Sequence, residues 1–135
     1  MKLWQKGAAA HEKVDTFTVG KDREYDLVLA QYDCEASKAH AKMLGAIGLI
    51  TPNEVKQLCN VLETLKTDAK NGSFTIEDEF EDMHSKIEYI LTEELGDLGK
   101  KIHTARSRND QVLVAMHLYL KQELTEIKTL VIALF

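Results

Sequence analysis

Apolar residues along this chain recur at intervals of three and four over four separate stretches, the period expected of helices with one buried face. The first stretch predicts a helix over residues 22–46. Asp22 stands at its start as an N-cap, and Tyr25, Val28, Leu29, Tyr32, Ala36, Ala39, Met43 and Leu44 mark its apolar side. Gly45 and Gly48 weaken and end it. Thr51-Pro52-Asn53-Glu54 opens the second helix, with a Thr cap, Pro at the first helical position and Glu at the third. Val55, Leu58, Cys59, Leu62 and Leu65 form its buried face, and Asn71-Gly72 stops it. Two helices joined by so short a turn predict an antiparallel hairpin. After a connector over residues 73–80, residues 82–88 open a third helix that runs through Leu95. It carries Met83, Ile87, Ile90, Leu91 and Leu95 on one side and ends at Gly96.

The fourth stretch is the longest. Leu113, His117, Leu120, Leu124, Ile127, Val131 and Leu134 form a stripe that Met116, Tyr119, Leu130 and Ala133 widen. A helix from about Ser107 to residue 135 spans roughly 40 Å, whereas a compact domain of this size has a radius of gyration of about 14 Å. One domain cannot cover such a face, so the helix calls for partner helices. His117 within the stripe reads as a core or interface histidine. The chain ends on six apolar residues, 130–135, without a cap, Gly or charge, and so reads as cut within a buried helix. Residues 1–20, with Gly7 and Gly20, read as extended or irregular, and Trp4 as the anchor of that arm. The expected fold is all-α: an N-terminal helical domain containing a helix hairpin over residues 1–104, then, over residues 105–135, the first long helix of a central helical bundle.

Composition changes this picture little. The 135 residues are 44% hydrophobic and 29% charged, which suits a folded, soluble chain. A net charge of −5 offers nucleic acid no electrostatic footprint. Cys34 and Cys59 lack metal-ligand spacing and fall in helical patterns, so they read as reduced, buried thiols of a cytoplasmic protein. Residues 1–7 hold no apolar signal-peptide core, and the longest apolar run is too short to span a bilayer, so no membrane partner is expected.

The candidate chemistry gathers in Lys101-Ile102-His103-Thr104-Ala105-Arg106-Ser107-Arg108-Asn109-Asp110-Gln111. Ser107 with Asp110 three residues on is an N-cap pattern for the fourth helix. Arg106, Ser107, Arg108 and Asn109 then cluster at a helix N-terminus, where free N–H groups and the helix dipole favour an anion. Arg can grip a carboxylate bidentately and Asn offers both a donor and an acceptor, so the stretch reads as a carboxylate- or phosphate-binding corner. The plainer alternative is a capped helix with surface arginines. A second place needs weighing: residues 77–94 hold eight acids and one Lys, and Glu81 and Asp82 stand just before His84. Adjacent acids point apart on a helix and no second His follows at i+4, so a solvated acidic face with capping acids is expected and a metal is not.

His103-Thr104-Ala105-Arg106-Ser107-Arg108-Asn109-Asp110-Gln111 resembles the signature of the argininosuccinate lyases, of the fumarase/aspartase superfamily, which usually carries Gly where Ala105 stands. Glu81-Asp82-Met83-His84 followed by Ile87-Glu88 resembles a second element of the family, and Asp33, Ser37, Lys38, Ala39 and His40 with Met43-Leu44-Gly45 resemble its first-helix pattern. Near the N-terminus Trp4 is kept, while the residues after it depart from the usual Trp-Gly-Gly-Arg-Phe.

The resemblance implies a homotetramer with a central helical bundle that splits argininosuccinate into arginine and fumarate without a cofactor. The implied reaction is a β-elimination: a base removes a proton beside a carboxylate, charge spreads onto that carboxylate, and an acid helps the guanidino group leave. It implies Ser107, Arg108 and Asn109 as substrate-binding donors and places His84 near the site. It also puts Asp22 where the family usually has a substrate-contacting Ser, and an acid there could bind only the guanidinium end of the substrate. The catalytic Ser and the His of the family's second signature are not among these residues, so this segment is expected to hold part of a binding site and no catalytic residue. Two readings stand beside this one: a sister lyase of the adenylosuccinate lyase or aspartase type, against which the Arg106–Gln111 string argues, and a non-enzymatic protein like the lens δ-crystallins.

Overall fold

A computed structural model describes residue 17 and residues 20–135. The irregular arm expected over residues 1–20, Trp4 included, lies outside them apart from Phe17 and Gly20. The described residues form helices α1 (Asp22–Ala46), α2 (Pro52–Asn71), α3 (Met83–Leu95), the single turn α4 (Asp97–Lys100), a 3-10 turn (Lys101–His103) and α5 (Arg108–Leu134), with no strand among them. The fold is all-α, and α1 and α2 pair as a hairpin.

Local chemistry accounts for most of the boundaries. Thr51 and Glu54 form a reciprocal capping box at the start of α2, each side chain meeting the other residue's backbone N–H. Gly72 closes the helix in the left-handed region at φ 75°, a conformation that costs glycine little, and Ser73 N–H donates back to the Asp68 carbonyl. Asp82 caps α3 by accepting from Ser85 N–H at 2.7 Å. Ser107 and Asp110 form a second capping box on α5.

The start of α1 differs from expectation. Asp22 is the first helical residue and Lys21 is the cap, with no side-chain bond. Lys21 has a near-helical backbone, and its carbonyl already accepts from Glu24 and Tyr25 N–H at 3.0 and 3.3 Å. Asp22 is therefore inside the first turn, where its charge still suits the helix dipole.

The face that α1 buries also departs from the apolar stripe. Ala30, Asp33, Cys34, Ser37, Ala41 and Leu44 are buried, while Tyr25, Val28, Ala39 and Met43 are exposed. The helix packs against α2, α3 and α5 together, and small side chains let three neighbours approach. Leu44, Leu58, Leu62, Met83 and Leu91 fill the centre between α1, α2 and α3. Arg23 ties the connector down, donating to the Phe80 and Asp78 carbonyls at 2.8 Å, while the Phe80 ring is buried.

Helix α5 meets α1 through Gln111 and Ala115, and Tyr119 packs edge-on against Tyr32 with ring centroids 5.8 Å apart. The stripe expected to seek partners faces away from α1: Leu113, Leu120, Leu124, Ile127, Val131 and Leu134 are 46–83% exposed. Among the described residues, no helix is long and apolar enough to cross a membrane.

Candidate functional site

The eleven residues from Lys101 to Gln111 are pinned to three helices in turn. Lys101 Nζ reaches Glu54 Oε1 at 2.7 Å, tying the segment to the start of α2. That ammonium, with the Thr51 backbone N–H, holds the Glu54 carboxyl down at about 2. Ile102 is buried beneath the turn. His103 Nε2 lies 2.7 Å from Glu88 Oε2 on α3. On the side of α1, His40 Nε2 donates to the Thr104 carbonyl at 3.0 Å. Burial, helped by the Arg106 charge, pushes the His40 pKa down, although its bond to Thr104 opposes this.

Ala105 sits at φ 57°, in the left-handed region. This is the position where the resembled signature carries Gly, and a Cβ there is strained by roughly 1–2 kcal/mol. Glycine relieves that strain but adds unfolded-state entropy. Ala105→Gly is therefore expected to stabilise the chain by about 1 kcal/mol, read as a shift of the urea midpoint to higher concentration with an unchanged slope. An unchanged or lower midpoint would show that Ala105 carries no net strain.

Beyond Ala105 the two arginines diverge. Arg106 turns back onto α1, where Nη1 donates to Ser37 Oγ at 3.0 Å. Desolvation pulls its pKa below the usual arginine value, opposed by the charges of Asp33, Asp110 and Glu88. From sequence Arg106 had no assigned contact, and nothing in the spacing points to Ser37, 69 residues earlier. Arg108 turns toward α3: Nη1 pairs with Asp82 Oδ2, and Nη2 donates to Ser85 Oγ at 3.1 Å. Ser107 between them is the cap, its hydroxyl donating to Asp110 Oδ2 at 2.8 Å. That bond and the one from Ser107 N–H keep the Asp110 carboxyl low. Asn109 is exposed, and its amide makes no hydrogen bond among the described residues.

Beneath this corner lies a layer of buried polar side chains: Asp33, Ser37, His84, Ser85 and Gln111. His84 Nδ1 is 3.3 Å from Asp33 Oδ2, within ion-pair reach but not aligned as a hydrogen bond. Asp26 supports the same turn of α3, accepting from Met83 N–H at 2.9 Å, and burial raises its pKa. His84 stands next in sequence to Ser85, one of the two residues that hold Arg108, but its own ring is turned inward and is 3% exposed. Asp22 is exposed on the first turn of α1, and among the described residues no hydrogen bond or ion pair joins it to residues 101–111. Of the residues predicted from sequence, the structure therefore groups Ser107, Arg108 and Asn109 at one helix end. Among the described residues, no group of three or more His, Cys, Asp or Glu could hold a metal ion.

Sequence reasoning missed Asp82 and Ser85 as partners of Arg108. Their i, i+3 spacing signals only a helix cap. Chemically, the end of α5 offers backbone N–H groups, a helix dipole and the open Asn109 amide to an anion, beside a guanidinium already neutralised by Asp82.

A model of the lyase family matches residues 9–134. The chain is 50% identical over 134 residues to an argininosuccinate lyase of Phocaeicola vulgatus, an alignment covering 99% of this chain and 30% of that protein. It is 49% identical to argininosuccinate lyases of Parabacteroides distasonis and Thermotoga neapolitana, over 99% and 98% of this chain and 30% and 33% of theirs. The chain therefore spans about a third or less of the length of these curated relatives.

Proposed function

The chain belongs to the lyase family whose model it matches over residues 9–134, and from that premise we propose that it serves as the N-terminal portion of an enzyme splitting argininosuccinate into arginine and fumarate. The names of relatives about half identical to it support the substrate. The observation that carries the reading is the capped N-terminus of α5, where Ser107, Arg108 and Asn109 are grouped and the Asn109 amide stands open. In this reading the corner holds a substrate carboxylate. β-Elimination builds negative charge there as the proton beside it leaves, so fixed donors stabilise the transition state more than the ground state. His84 supports the site from behind. Asp22 faces the guanidinium end of the substrate. The base, the second-signature His and the rest of the site come from other parts of the whole enzyme, which works in the cytoplasm, in arginine biosynthesis, without a cofactor.

Residues 1–104 then form the N-terminal helical domain and residues 105–135 begin the central bundle of a homotetramer. The exposed stripe of α5 is the surface that such a bundle covers, since an apolar face of this length is costly in water. The test is made on the whole enzyme. It is expected to release fumarate, followed by absorbance, from argininosuccinate and not from adenylosuccinate or aspartate, and to sediment as a tetramer. Turnover of a sister substrate instead, or no turnover with any of them, would overturn the reading.

A further inference from the structure

The two terminal nitrogens of Arg108 both reach α3, using two of the five N–H donors of its guanidinium. Nη1 pairs with Asp82 Oδ2 and Nη2 donates to Ser85 Oγ. Asp82 divides its oxygens: Oδ1 accepts from the N–H and hydroxyl of Ser85 at 2.7 and 2.6 Å, capping α3, and Oδ2 takes the guanidinium. The Ser85 hydroxyl closes the ring, donating to Asp82 and accepting from Arg108. The side chains of Arg108 and Asp82 are only 28% and 18% exposed, so the pair is better shielded than a surface ion pair. A substrate carboxylate approaching from the α3 side would have to displace Asp82, and one approaching the remaining N–H donors would meet a guanidinium whose charge Asp82 already balances. Arg108 is also the first residue of α5, directly before Asn109, so whatever fixes its guanidinium fixes the end of the helix.

We infer that Arg108 is a positioning residue. Through Asp82 and Ser85 it locks the N-terminus of α5 onto the first turn of α3, and it leaves direct contact with the carboxylate to Asn109 and the free N–H groups of α5. The inference rests on the lyase reading for its kinetic consequence, but the lock itself does not.

The test is a double-mutant cycle of Arg108→Ala and Asp82→Asn. Asn is as good a helix cap as Asp, so Asp82→Asn keeps the cap of α3 and removes only the charge facing Arg108. In the whole enzyme, each single change is expected to lower kcat about tenfold with KM within about twofold, and the pair to be no worse than the worse single change. Arg108→Lys, which keeps a charge but not the two-pronged reach, is expected to fall between wild type and Arg108→Ala and replaces it if Arg108→Ala does not fold. Wild-type kinetics for Asp82→Asn beside an impaired Arg108→Ala, or losses that multiply in the pair, would place Arg108 on the substrate and overturn the inference. The same cycle is read by thermal unfolding of this chain. There, losses that simply add overturn the lock, and coupled losses support it. Coupled unfolding together with an enzyme inactive on argininosuccinate would refute the lyase reading and leave the lock standing.

Discussion

Replacing Asn109 with alanine is expected to lower the kcat/KM of the whole enzyme by about ten- to a hundredfold, with the melting temperature essentially unchanged. The two halves of that statement have separate causes. Asn109 is exposed in the first turn of α5 and its amide makes no hydrogen bond among the described residues, so its removal takes away no internal contact. Alanine is also the better helix former, which offsets any small loss within a few tenths of a kcal/mol. Under the proposed role of Asn109, the catalytic cost is the loss of a hydrogen bond to a charged group, about 1.5–3 kcal/mol. Because the carboxylate gains charge only as the proton leaves, most of the loss should fall on kcat. Steady-state kinetics and a melting curve on one preparation check both. Near wild-type kinetics would reduce the signature to architecture, and a fall in melting temperature equal to that of a core substitution would show that Asn109 is structural.

The second large effect lies away from the site. Gly99→Ala is expected to cost about 3 kcal/mol or more, lowering the melting temperature of the chain by about 10 °C. Gly99 is buried in α4, which turns straight back onto α3. A Cβ at this position would stand 2.3 Å from the Leu91 carbonyl carbon and oxygen and 2.5 Å from Thr92 N. Those atoms are helix backbone and cannot rotate aside as a side chain could. To admit the methyl group, α4 must lift from α3 and draw with it Ile102, which is 2% exposed, and the segment leading into the signature. Lys100→Ala, in the same turn, removes an exposed partner of Asp97 and should shift melting by a degree or two at most. Gly99→Ala melting within about 2 °C of wild type would show that α4 does not pack on α3 in this way.

Gly99 also shows how little a link rich in glycine reveals of its packing compared with a helix. Gly96-Asp97-Leu98-Gly99 carries the composition of a turn, and Gly96 is one, at φ 60°. Gly99 stands there for closeness rather than for backbone freedom, and what it approaches lies eight residues earlier on another helix. The face of α1 was legible only in part for a related reason. Tyr32, Ala36 and Leu44 of the expected stripe are buried, but a helix covered by three neighbours also buries small and polar residues, so Ala30, Ser37 and Ala41 went inside while Val28 and Met43 stayed out.

The capping boxes at Thr51 and Ser107, the Gly72 stop, the all-α class and the grouping of Ser107, Arg108 and Asn109 at one helix end were all legible in the sequence alone. Each rests on interactions within about four residues, where the chain's own geometry decides which groups can meet. The exposed stripe of α5 was legible for the same reason, as a periodicity in one segment. Tertiary structure alone decided that Arg106 turns to Ser37 and Arg108 to Asp82, 69 and 26 residues away, and that His84 faces Asp33 inside. A guanidinium on a long, flexible stem can serve a substrate or a neighbouring helix equally well. Its choice depends on which carboxylate the packing of α1, α3 and α5 carries within reach, and no local pattern encodes that distance.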